Sequence, residues 1–139
     1  MIDIGTVRRD DRSGPFFDAA AEGRLVARRC DECGHLYGAE LPTCSACASE
    51  AHSWIDVEGV GSLVSWVVVH RKGGEGAAPA PIAVATVELA EGPWLTLPVD
   101  PGPDAAAPDA GLVGGASMRA GFQPVEGGET VPVWEIAGA

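Results

Sequence analysis

The stretch that decides the fold is Arg29-Cys30-Asp31-Glu32-Cys33-Gly34, answered after a ten-residue spacer by the pair in Pro42-Thr43-Cys44-Ser45-Ala46-Cys47. Each C-x2-C turn aims two sulfurs at one point, and a hairpin that brings two such turns together completes a tetrahedral cage of four thiolates. Soft sulfur ligands in that geometry favour Zn2+, with iron held in rubredoxin-like fashion as the lesser alternative. The competing readings fit worse. A redox C-x-x-C would be single and set in a βαβ unit, a disulfide framework belongs to a secreted chain, a catalytic zinc keeps one position open, and a cysteine nucleophile would leave three thiols idle. A structural metal site at Cys30, Cys33, Cys44 and Cys47 uses all four, and its role would be to fold a module too small for a core of its own. Gly34 follows the first pair, where the turn calls for a permissive backbone. Ala48 holds the equivalent place after the second, so that turn is expected to differ slightly or to carry strain. His35 has four cysteines beside it and reads as a surface side chain.

Outward from the cysteines the two flanks differ in charge. The 139 residues carry a net charge of −11, yet the first thirty hold six arginines against five acids. Residues 31 to 139 therefore balance at −12, which opposes tight binding of nucleic acid or anionic lipid by that portion. Before the cysteines, residues 1–13 read as an extended or disordered arm. Ser13-Gly14-Pro15 reads as a helix start and Gly23 as its stop, with Asp18 expected near the positive end of the helix dipole. A helix barely two turns long cannot stand alone, so Phe16 and Phe17 must pack on this chain or on another. Arg24 to Arg29 reads as a lead-in strand.

Beyond the cysteines the composition turns to strands and turns, in keeping with 19 Gly and 11 Pro. Val57 to His70 reads as one long bent strand, its paired glycines marking bends or a bulge. Ile82 to Leu89, Trp94 to Val99, Ala116 to Val125 and Val131 to Ile136 follow, separated by turn sequences and by two Pro/Ala-rich loops at 71–81 and 100–111. Five strands in roughly 80 residues match an oligonucleotide/oligosaccharide-binding (OB) barrel. The expected fold is thus mainly β: a short N-terminal helix and a rubredoxin-like zinc ribbon, then a five-stranded OB-fold barrel. The divisions are 1–13 arm, 14–29 helix and lead-in strand, 30–53 ribbon and 54–139 barrel. Trp54, Trp66, Trp94 and Trp134 are expected in the core or the barrel wall.

Candidate chemistry outside the cage is sparse. No nucleophile elbow, phosphate-cradling loop, H-E-x-x-H or dinucleotide fingerprint is present. His70, Arg71 and Lys72 form a small basic cluster, read first as a solvated strand end and second as a phosphate contact. The start Met1-Ile2-Asp3-Ile4-Gly5 lacks a signal-peptide pattern, and no apolar run approaches the ~18 residues of a membrane span. A cytoplasmic protein without membrane or nucleic-acid partners is expected.

Phe16-Phe17, Glu22-Gly23-Arg24-Leu25, the two cysteine pairs, Gly59-Val60-Gly61-Ser62-Leu63-Val64-Ser65-Trp66 and Val131-Pro132-Val133-Trp134, taken in that order, resemble the zinc-ribbon/OB-fold proteins associated with acyl-CoA enzymes. The resemblance covers about residues 15 to 137. It implies a non-catalytic accessory subunit of a hetero-oligomer, in which a thiolase-like enzyme, aldolase, acyltransferase or hot-dog-fold hydratase partner holds the catalytic residues. It further implies action on acyl-CoA in lipid or steroid side-chain degradation, and of the site residues it carries over the four cysteines as metal ligands. From charge alone, Arg28, Arg29, Arg71 and Lys72 are where CoA phosphates would be met, and Phe16 and Phe17, on a helix that needs a docking surface, are expected at a partner interface or against the barrel mouth. Ala48 and the long 100–111 loop depart from the family pattern. The runner-up reading is a nucleic-acid-binding ribbon/OB module.

Overall fold

The computed structural model describes residues 2–72 and 78–138. The expected 71–81 loop falls partly on residues 73–77, which lie outside that set. Among the described residues, one helix and eight strands run in chain order: α1 (Gly14–Ala21), β1 (Leu25–Cys30), β2 (Leu36–Tyr37), β3 (His52–Val57), β4 (Val60–Val69), β5 (Ile82–Leu89), β6 (Trp94–Pro98), β7 (Ser117–Gln123) and β8 (Val131–Ile136).

Helix α1 starts at Gly14 with Pro15 in its first turn, and the chain leaves it where Gly23 takes a positive φ. The Arg24 and Gly23 amides donate to the Ala19 and Ala20 carbonyls, so the last turn closes on itself and feeds straight into β1. Asp18 lies beyond the first turn and pairs with Arg9 at 2.8 Å, so it serves an ion pair and not the helix dipole. The inward face buries Ala19 and Ala20, and Phe16 packs on the barrel core.

Strands β2, β1 and β3 make a small antiparallel sheet with β1 in the centre. The other five form a sheet in the order β6-β5-β4-β7-β8. It curls shut through a parallel bridge from Val99 to Trp134, backed by a 2.9 Å hydrogen bond from the Asp100 amide to the Trp134 carbonyl. That closure makes the sheet the expected five-stranded OB barrel. Trp134 is fully buried at the seam and its indole N–H donates to the Leu95 carbonyl at 3.3 Å.

The long strand read from Val57 to His70 is two elements. The chain breaks at Glu58 and Gly59, and Trp54 to Val57 pair with β1 in the small sheet. The register shift in β4 falls between Leu63 and Ser65, not at a glycine. Gly61 has another purpose: a Cβ there would lie 2.1 Å from the Glu88 carbonyl oxygen, so the glycine is what lets β4 and β5 approach.

Leu25 and Val57 are cross-strand partners at one end of the small sheet, and both join the barrel core. The two sheets therefore share a seam of apolar side chains. The 100–111 loop and the residues after it fold over the barrel, burying Leu112, with the Trp66 indole reaching the Asp109 carboxylate at 3.4 Å.

Residues 2–13 lie along β7 and the β7–β8 turn. The buried Gln123 side chain pairs with the backbone of Ile2 through both its oxygen and its nitrogen. The Glu129 amide donates to the Val7 carbonyl at 2.8 Å, and Arg9 joins Glu129 to Asp18.

Candidate metal centre and the surfaces around it

Two turns of the same shape build the cage. In the first, the Gly34 amide donates to the Cys30 carbonyl at 3.0 Å and the Cys30 amide to the His35 carbonyl at 2.9 Å. In the second, Ala48 donates to Cys44 at 2.8 Å and Cys44 to Ser49 at 2.9 Å. Ala48 adopts φ +65° against +78° at Gly34. The second turn thus keeps the geometry and takes the strain of a left-handed alanine.

The four sulfurs meet. Cys30 Sγ is 3.5 Å from that of Cys47, Cys33 Sγ is 3.6 Å from that of Cys44, and all four lie within 4.8 Å of one another. A tetrahedral ion with Zn–S bonds of about 2.3 Å needs sulfurs about 3.8 Å apart, so the set fits a metal of that kind. The Cys33 backbone N–H brings the Cys30 thiol down to about 7, whereas Cys33 and Cys47, crowded by the neighbouring thiols and by burial, are shifted up, so the four sulfurs titrate as one linked set. Cys30 and Cys44 are buried, Cys33 and Cys47 exposed. A bound ion would have its first shell filled by thiolates and would tie two loops together without offering a position to substrate. His35 is exposed and bonds Ser45 at 3.0 Å between the turn tips, outside the cage.

The arginines of β1 face opposite ways. Arg28 is 5% exposed, between its cross-strand partners Tyr37 and Trp54. Its guanidinium lies 4.5 Å from the Trp54 ring centroid, donates to the Ala39 carbonyl at 3.1 Å and meets His52 Nε2 at 3.2 Å. Burial lowers its pKa from the ordinary arginine value. It lines a pocket of about 380 Å3 together with Arg12, Asp11 and Glu50. Arg29 is exposed on the other face. Arg71 and Lys72 come after β4 in the other sheet; Lys72 is exposed, while Arg71 is half-buried and donates to the Ala80 carbonyl. Phe16 and Phe17 meet edge to face at 5.4 Å and line an apolar cavity of about 230 Å3 with Leu95 and Leu97.

A second cleft has no counterpart in the sequence pattern. Trp94, expected in the wall, is 54% exposed and stands with Tyr37, Glu40 and Glu91 where the small sheet meets the barrel. The residues come from segments more than fifty positions apart, and no local pattern joins them.

Known proteins share this geometry. Two family models match: the ChsH2 rubredoxin-like zinc ribbon domain over residues 17–53 and the ChsH2 C-terminal OB-fold domain over residues 54–123. A solved chain described as "Ltp2-ChsH2(DUF35) aldolase" is 29% identical, with a TM-score of 0.72 over 93% of this chain and 97% of that one. A DUF35-family protein of unknown function from Sulfolobus solfataricus shares the fold, at 11% identity and a TM-score of 0.57 over 91% of this chain and 85% of its own. A "Probable enoyl-CoA hydratase alpha subunit" of Thermomonospora curvata is 36% identical over 80 residues, 58% of this chain, which spans only 25% of that relative. With both family models matched in order along one continuous fold, the chain belongs to the ChsH2-type (DUF35) zinc-ribbon/OB-fold family.

Proposed function

We propose that this chain is an accessory subunit of an acyl-CoA-processing complex, holding a structural Zn2+ and stabilising a thiolase-superfamily partner that carries the catalysis. The observation that supports it most directly is the 29% identity to the chain described as Ltp2-ChsH2(DUF35) aldolase, covering 97% of that chain. That solved chain is about the size of this one, whereas this chain matches only 25% of the hydratase alpha subunit's length. The thiolate cage is consistent with such a role, because a saturated metal braces the ribbon without taking part in chemistry. Thiolytic, retro-aldol or acyl-transfer chemistry in lipid or steroid side-chain breakdown, in the cytoplasm, is the setting we propose.

Two surfaces serve this reading. Phe16 is committed to the barrel core, which leaves half-buried Phe17 as the aromatic that can meet a partner from α1. Among the basic residues assigned to CoA phosphates, exposed Arg29 and Lys72 carry charge at the surface, with Arg71 beside Lys72; Arg28 would act through its pocket.

Affinity purification of the tagged chain from the cells that make it, followed by mass spectrometry, tests the reading. Stoichiometric recovery of a thiolase-like protein, reduced by Phe17→Asp with the circular dichroism unchanged, is expected. A chain that stays alone under these conditions and is retained by single-stranded DNA in a salt-dependent way would overturn it in favour of a nucleic-acid module.

A further inference from the structure

The outer face of the barrel over β4, β5 and β6 is laid out in cross-strand rows. Ser62, Glu88 and Trp94 share the first row, and Ser65, Thr86 and Thr96 the second. Val67, Val84 and Pro98 make the third, and Val69 with Ile82 the fourth. These side chains point outward, because the residues that alternate with them, Ala83, Ala85, Leu95 and Leu97 among them, are buried. The second, third and fourth rows hold no charged side chain, in a chain with a net charge of −11. Val67, at their centre, is 60% exposed.

The charges stand at the two ends. Glu88 is exposed in the first row, where its Oε2 accepts from the Trp94 indole N–H at 2.9 Å. Beyond the fourth row the chain runs on through His70 and Arg71 to exposed Lys72. Arg119, the remaining cation of residues 31–139, lies off the strip on β7, across from Glu135. The strip is thus negative at one end, positive at the other and neutral between. An OB barrel that holds nucleic acid carries cations along this face, and here the centre has none.

Such a strip complements itself. A two-fold axis lying in the contact plane across the Val67 row reverses the second copy, so that the Lys72 end of each copy meets the Glu88 end of the other. The distances agree: Ser62, the cross-strand partner of Glu88, and Lys72 lie five positions either side of Val67, roughly 15 Å at about 3.3 Å per residue. The Val67 row then packs on its counterpart, and the Thr86 row meets Val69 and Ile82. No two carboxylates are brought together, which matters between chains that each carry −11. The strip measures roughly 14 by 27 Å, about half the ~800 Å2 that each side of a standard interface buries, so the pair is weak and reversible.

We propose that the outer face of β4–β6 docks a second copy of this chain, two-fold about Val67, with Lys72 of each copy paired to Glu88 of the other. The pairing does not depend on the accessory-subunit reading, and exposed Arg29, in the small sheet, lies outside it.

Sedimentation equilibrium of the full chain, from about 10 μM to about 1 mM, tests the proposal, with a reversible monomer–dimer equilibrium of Kd about 0.1–1 mM expected. Val67→Glu sets two carboxylates against each other at the axis and should weaken association at least about tenfold with unchanged circular dichroism. Thr6→Glu, the same added charge on the exposed N-terminal arm, should leave it unchanged. Lys72→Glu and Glu88→Lys should each weaken it about fivefold, and the chain carrying both should return to within about twofold of the original. A chain still monomeric at about 1 mM, or a dimer indifferent to Val67→Glu, would overturn the proposal. A double swap that restores nothing would overturn the two-fold orientation. If the chain stays monomeric and Val67→Glu instead abolishes recovery of a co-purifying protein, the face belongs to that protein and the second copy is ruled out.

Discussion

Ala48 shows what the cage demands of a single residue. Its φ of +65° reproduces that of Gly34 because the Cys44 carbonyl must accept from the residue four positions on, and that hydrogen bond dictates the backbone whatever the side chain. A left-handed alanine costs about 1–2 kcal/mol, and glycine gives back part of this through a looser unfolded chain. Ala48→Gly is therefore expected to raise stability by about 0.5–1 kcal/mol, seen as a higher denaturation midpoint with unchanged slope; a lower midpoint would show that the alanine methyl is needed. The position was legible from the spacing, because a knuckle sets its own backbone within five residues. Tyr37, Glu91 and Trp94 were not. Each reads alone as an ordinary strand or turn residue, and they line one cleft only because segments distant in sequence meet there.

Barrel strands β4, β5 and β8 were readable as runs rich in β-branched residues, which record their own burial, and β6 and β7 as short segments bounded by Gly/Pro turns. Their closure was not, because the Val99 to Trp134 bridge joins segments that share no local signal. The same holds for β3: Trp54 to Val57 look continuous with β4 in the sequence, and only pairing with β1 assigns them to the small sheet. Trp134→Ala, which empties the seam, is expected to cost about 3–5 kcal/mol in chemical denaturation. The segment 2–13 depends on charge instead. Glu129 is held below the usual carboxylate range by its hydrogen bonds with Arg9. Its contribution is thus present in full above the unfolded glutamate value of about 4.3 and is lost as pH falls through the depressed folded value. The protection factor of the Glu129 amide, which donates to the Val7 carbonyl, should be high at neutral pH and fall below that range, and Arg9→Gln should lower it already at neutral pH. Equal exchange in both chains at pH 7 would leave the anchoring to Gln123 and the backbone alone.

Across the whole molecule, the two sheets have unequal means of standing. The barrel core gathers twelve buried residues, including Leu25 from β1, whereas the buried cluster of the ribbon is Cys30, Tyr37 and Cys44. Two of those three are cage sulfurs, so the ribbon's core is largely its metal site, and binding free energy there is folding free energy. The seam at Leu25 and Val57 lies at the far end of β1 from Cys30, so loss of the ion need not propagate into the barrel. Metal analysis of the purified chain is expected to give close to one zinc equivalent, lowered by Cys44→Ser. A strong chelator should abolish amide protection across residues 31–51 while the amides of β5, β6 and β8 remain protected, so that calorimetry shows the barrel transition surviving at nearly its original temperature. Simultaneous loss of both transitions would mean that the shared seam couples the sheets into one cooperative unit. Unchanged protection in the ribbon would mean that its hydrogen-bonded turns hold without a metal, and the structural role assigned to the four cysteines would fall.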